Sequence, residues 1–94
     1  MHSDRIVFRV HAVERMFKRQ VSADDVRHVL STGEIIEDYP DDTPYPSRLL
    51  LGWIGERPLH VVAAYNRVDN ESIVITVYEP APNLWELDFK RRKP

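Results

Sequence analysis

The chain has 94 residues, with 43% hydrophobic and 30% charged residues and no cysteine. That is the composition of one small globular domain with a single core. It excludes a disulfide framework and a thiolate metal site, a disordered chain, and a membrane span, which needs about 20 consecutive apolar residues. The formal net charge of −2 argues against a uniformly basic nucleic-acid binder, yet the charges are clustered. Acids gather at Glu34, Glu37, Asp38, Asp41 and Asp42, and bases at Arg15, Lys18 and Arg19 and again from Lys90 to Lys93. A weakly acidic chain can therefore still present one basic face.

Residues 5–10 suit a short first strand or an extended lead-in. The first residues lack the apolar segment of a signal peptide, so a cytoplasmic location is expected. His2 is read as part of a terminal remnant. From His11 to Arg19 the pattern turns helical, with Ala12, Val13, Met16 and Phe17 at the spacing of one apolar face. Ser22 is a good N-cap with Asp25 three residues on, a variant of the capping box. Val26, Val29 and Leu30 then form a buried stripe, and Gly33 stands where a helix ends. The second helix is predicted over 23–32.

Strands follow. Ile35 and Ile36 begin one that ends near Tyr39-Pro40, and residues 41–46 are too rich in turn formers for a central strand. Residues 48–54 and 58–65 read as two strands around a turn at Gly55-Glu56-Arg57. After a polar loop, residues 72–78 form a strongly β-branched strand. Pro80 and Pro82 end it, and the tail from Leu84 to Arg92 suits a short helix or a segment lying across the sheet. The expectation is an α+β fold: two N-terminal helices packed on one face of a mostly antiparallel sheet of about four strands.

Alternation along the strands puts Leu49, Leu51, Trp53, Leu59, Val61, Ala63, Tyr65, Ile73, Ile75 and Val77 on the face under the helices. The other face then holds Arg48, Leu50, Gly52, His60, Val62, Ala64, Val74, Thr76 and Tyr78. In that register Gly52, His60 and Tyr78 are cross-strand neighbours, with Gly52 leaving room for a substrate.

Three groups of residues carry potential chemistry. His11, Arg15 and Arg19 stack at i, i+4 and i+8 on the first helix. They suit a row of phosphate contacts, because guanidinium forks bind phosphate oxygens in pairs. They equally suit an exposed cationic stripe whose stems cover apolar surface. His60, within a strand, can move protons near neutral pH or simply fill its face. Tyr78 can hydrogen-bond or stack on a base. The basic run Lys90–Lys93 is either a solvated tail or a source of positive field over the outer face. No glycine-rich phosphate loop, nucleophile elbow or carboxylate cluster of the metal-nuclease kind is present, and neither cofactor nor metal is expected.

These residues, taken in order, resemble a family of small bacterial proteins of unknown function. The pattern runs through His11-Ala12, Arg15-Met16, Arg19, Val26, Leu30, Gly33-Glu34, Tyr39-Pro40 and Leu51-Gly52. It continues through Arg57-Pro58-Leu59-His60-Val61-Val62 and Thr76-Val77-Tyr78-Glu79-Pro80 to Trp85 and Arg91. That family looks related to the BrnT and RelE-like toxins of type II toxin–antitoxin pairs. The resemblance implies a single toxin-like domain over 1–94, metal-independent cleavage of messenger RNA, and a protein antitoxin of zinc-ribbon type as partner. Its motif positions His11, Arg15, Arg19, His60, Tyr78 and Arg91 become the site candidates. Their roles follow from chemistry: His60 and His11 as base and acid, Arg15, Arg19 and Arg91 on the phosphate, Tyr78 on a base. The rival readings are a non-catalytic module binding protein or nucleic acid with the same face, and an adaptor whose histidines are packing residues. The oligomeric state is left open.

Overall fold

A computed structural model describes residues 5–94; the readings made of His2 and of the first residues lie outside them. The elements run β1 (Arg5–Phe8), α1 (Val10–Arg19), α2 (Ala23–Thr32), β2 (Glu34–Tyr39), β3 (Ser47–Ile54), β4 (Arg57–Asn66) and β5 (Glu71–Tyr78). The five strands form one mixed sheet in the order β1-β5-β4-β3-β2. β1 joins β5 in parallel, and the remaining pairs are antiparallel. The lead-in is therefore a fifth strand, and the sheet is mixed rather than four-stranded. No helix among the described residues is long and apolar enough to cross a membrane.

Local sequence explains the helices. α1 starts without a side-chain cap and ends at Gln20, whose left-handed backbone returns its N–H to the carbonyls of Met16 and Phe17. α2 starts at Ser22 with the full capping box: the Ser22 hydroxyl accepts from the Asp25 N–H, and the Asp25 carboxylate accepts from the Ser22 N–H. Such a cap contributes about 1 kcal/mol. Val26, Val29 and Leu30 are buried as the spacing predicts. On α1 only Ala12 and Met16 are buried; Val13 and Phe17, expected in the same stripe, face solvent.

Both helices cover one sheet face, α1 against β5 and α2 against β3 and β4. Their buried stripes meet Leu50, Leu59, Val61, Ala63, Val74 and Val77, with Ile6 and Phe8 of β1 closing one side. This face is not the one predicted for β3. The β3–β4 hairpin turns on two residues, Gly55-Glu56, with Ile54 paired to Arg57 and Leu51 to His60. A three-residue turn would pair Gly52 with His60; the shorter turn moves β3 by one residue and exchanges its faces. Leu50 and Gly52 therefore lie under the helices, and Leu49, Leu51 and Trp53 lie on the outer face. A Cβ on Gly52 would sit 2.6 Å from the Val29 side chain, so this glycine lets α2 approach the sheet. It does not open space beside His60.

β5 is corrected by a bulge. Val62 pairs with Thr76 but Ala63 pairs with Val74, so Ile75 is an extra residue. An extra residue reverses the alternation beyond it. Val74 thus joins the core and Ile73 the outer face, while Ile75 is only half-buried.

Candidate functional site

The outer face carries the titratable groups. His60 on β4 stands between Leu51 on β3 and Tyr78 on β5. Its ring is fully buried, because the C-terminal segment folds over it. That segment turns back on itself through a Trp85–Arg92 bridge, with N–H groups of Glu86 and Lys93 donating to the carbonyls of Arg91 and Leu84. The tail thus lies across the sheet, one of the two expected forms. Its inner side brings the Trp85 ring edge-on to His60, with centroids 4.5 Å apart, and the Phe89 ring to Trp53 at 6.0 Å. Lys90 pairs with Glu34 on β2 at 3.1 Å.

The hydrogen bonds define the tautomer. His60 Nε2 lies 2.8 Å from the Phe89 carbonyl oxygen. A carbonyl only accepts, so Nε2 carries the proton and Nδ1 accepts from the Tyr78 hydroxyl 3.2 Å away. Beside this pair the Arg92 guanidinium sits 4.7 Å over the Trp85 ring centroid. Its Nε donates to Glu37 Oε1 at 3.3 Å, and the Tyr39 hydroxyl donates to the other Glu37 oxygen. Tyr39, Glu37, Arg92, Trp85, His60 and Tyr78 therefore form one continuous chain of contacts.

Their ionisation is displaced together. The Tyr39 hydroxyl and Arg92 hold the Glu37 carboxyl below the usual range. Burial first, then the Glu37 carboxylate, pushes the Tyr39 phenol up to about 12. Burial holds His60 below the ordinary imidazole value, against the opposing effect of its bond to the Phe89 carbonyl. Burial raises Tyr78, and the bond to Glu37 raises Arg92. At neutral pH the patch thus holds one carboxylate, one guanidinium, a neutral imidazole and two phenol donors. Displaced pKa values gathered in one place are a property of functional sites and of structural networks alike.

His60 and Tyr78 touch. His11 lines a separate cleft of about 450 Å³ with Arg9, Asp42 and Tyr45, floored in part by Ala64. Ala64 is four residues from His60 on the same strand face, about 13 Å along β4, and His60 is not among the residues that line the His11 cleft. Arg15 and Arg19 belong to α1, in the helix layer on the other side of the sheet. Arg91 turns to Asp88, at 3.1 Å, and its neighbour Arg92 reaches the network instead. A larger cleft of about 600 Å³, between Arg48, Tyr65 and Arg67, contains none of the network. Among the described residues no three potential metal ligands are gathered.

Glu37, Tyr39, Trp85 and Arg92 were not among the sequence candidates. Glu37 reads as one member of an acidic cluster. Its side is set by an irregularity in β2 between Ile35 and Glu37, which alternation does not foretell. Tyr39 and Trp85 stand in the motif without any sign of what they touch. No curated protein and no solved structure matches the chain. A family model, a domain of unknown function (DUF4258), matches residues 8–79. The match spans well over half of the chain and both helices and all five strands apart from the first residues of β1, so this protein belongs to the DUF4258 family.

Proposed function

We propose that the outer-face network binds an RNA phosphodiester and cleaves it without a metal, as a RelE- or BrnT-like toxin acting on messenger RNA in the cytoplasm. A neighbouring antitoxin, of zinc-ribbon type, holds such a protein silent. The observation that supports this reading is the contiguity of Glu37, Arg92, His60 and Tyr78. Together they supply a base, a cation and a proton donor within one patch.

An incoming phosphate competes with the Glu37 carboxylate for the Arg92 guanidinium. Once released, Glu37 takes the proton of the ribose 2′-hydroxyl. The 2′-oxygen then bonds to phosphorus, and the bond from phosphorus to the 5′-oxygen breaks. Tyr78 turns its hydroxyl away from His60 Nδ1 and donates its proton to that leaving oxygen, and Arg92 neutralises charge on the phosphorane-like transition state. The products are a 2′,3′-cyclic phosphate and a 5′-hydroxyl, and solvent returns the proton from Glu37 to Tyr78. His60, fully buried, is a positioning residue here. It orients the Tyr78 hydroxyl rather than meeting the substrate, in place of the direct proton transfer expected from the sequence.

The test uses the purified chain and a single-stranded RNA. Wild type should generate cyclic-phosphate ends, and Glu37→Gln and Tyr78→Phe should each lower the rate by about 10²–10⁴ while staying folded at the assay temperature, since each lost hydrogen bond costs about 1–3 kcal/mol. Intact RNA after incubation with folded wild type would sink the reading.

One observation favours a second reading, a non-catalytic module: both ring nitrogens of His60 are occupied and the tail covers them. In that case His60→Gln lowers the melting temperature, and no variant changes any RNA. Co-expression with the product of the adjacent gene, followed by pull-down, tests the antitoxin separately. Two soluble proteins that do not associate would count against the toxin reading.

A further inference from the structure

α1 turns an apolar stripe outward. Val10, Val13 and Phe17 are 75%, 50% and 87% exposed, and the i, i+3, i+7 spacing aligns them along one side of the helix. An apolar stripe of this kind on a small protein is a feature of interaction surfaces. The helix is also basic: Arg15, Lys18 and Arg19 outnumber its single acid, Glu14, and Arg9 precedes it. Among the described residues none of these four cations makes a side-chain ion pair or hydrogen bond.

We infer that α1 is the docking site for an acidic amphipathic helix of a separate protein, which lays its apolar face on Val10, Val13 and Phe17 and its carboxylates toward Lys18, in the positive field of this basic helix. Helix against helix is the natural geometry for a stripe of this spacing. Charge selects the occupant. A second copy pairing α1 on α1 would oppose like charges. The acidic cluster that a second copy could offer is largely engaged within its own chain: Glu34 with Lys90, Glu37 with Arg92, Asp38 with Arg48, and Asp42 with the Ser47 hydroxyl. RNA would use the cations but leave the apolar stripe exposed. The surface is on the helix layer, away from the His60 network, so the inference does not depend on catalysis there.

The probe is a synthetic helical peptide with leucines at i, i+3 and i+7 flanked by glutamates, with a lysine-flanked peptide as control. Titrated into the isotopically labelled whole chain, the glutamate peptide should shift α1 amides with a Kd of about tens of micromolar; the lysine peptide should not. Phe17→Ser and Lys18→Glu should each weaken binding at least about tenfold, with the melting temperature unchanged because both side chains are exposed. Absence of binding, shifts confined to the outer sheet face, or full binding by folded Phe17→Ser would overturn the inference. Two further results would do the same. One is a wild-type dimer in sedimentation that Phe17→Ser dissociates, which assigns the stripe to a second copy. The other is single-stranded RNA binding that Lys18→Glu weakens and Phe17→Ser does not, together with no response to the peptide. Failure here leaves RNA cleavage by the outer face untouched, since that is read from RNA ends.

Discussion

Both nitrogens of His60 are committed, one to the Tyr78 hydroxyl and one to the Phe89 carbonyl, and burial keeps the ring neutral. This has a consequence for stability. The folded pKa lies below the unfolded value near 6.5, so the unfolded chain binds more protons in that interval. The His60 contribution is therefore fully present above about pH 6.5 and declines as pH falls toward the folded value. Glu37 acts in a separate window. Its folded pKa is also lowered, and its contribution declines only below the unfolded carboxyl value of about 4.3. Melting temperature should thus fall between pH 7.5 and 5.5 in wild type, and His60→Gln should flatten that interval. A wild-type profile that is flat there, or a slope unchanged in the variant, would show that His60 is not the group responsible. The histidine and its tyrosine were legible in the sequence as strand residues with chemistry to offer. Their burial was not, because it comes from Trp85 and Phe89 on a segment with no periodic pattern of its own.

At the scale of elements, the helices were legible and the strand faces only partly so. The Ser22–Asp25 capping box and the stripe Val26, Val29, Leu30 are local signals, and they place α2 correctly. The faces of β3 and β5 depend on a two-residue turn and on one extra residue at Ile75. A change of one residue in either reverses every side chain beyond it. Leu50→Ala should accordingly cost about 2–5 kcal/mol, as a buried core truncation does. Ile75→Ala should cost less than half as much as Leu50→Ala by chemical denaturation; the reverse order would restore the alternation without a bulge. Gly52→Val tests the same register from the other side. Its side chain would enter space held by Val29 and should destabilise by about 1–3 kcal/mol. A neutral effect would mean that Gly52 does not face α2.

Across the whole molecule, the sheet is covered on one face by helices and on the other by the C-terminal segment. The two covers differ in strength. The helix side is an apolar core, whereas the tail is held by His60–Phe89, Lys90–Glu34, Arg92–Glu37 and the Trp85 and Phe89 rings. Exposed ion pairs contribute little, about 0–1 kcal/mol each, so the rings and the His60 bond hold the tail. A chain truncated after Asn83 should keep the helix-side core, show a lower melting temperature, and expose His60 to reaction with diethyl pyrocarbonate. Unchanged protection of His60 would mean that the strands bury it without the tail.

Two kinds of information separate here. The sequence by itself determined the class of fold, the two helices with the cap of the second, and the general position of the strands from β2 to β5. Those features rest on local interactions between residues a few positions apart, where periodicity, caps and turn formers act. Only the tertiary structure decided the parallel partnership of β1 with β5, the faces of β3 and β5, and the grouping of Glu37, Tyr39, His60, Tyr78, Trp85 and Arg92. Each of these joins residues distant in sequence, and each depends on a turn length, a bulge or a folded tail. The reason is geometric: alternation carries no record of where a strand gains a residue, and charge clusters carry no record of which partner lies across the sheet.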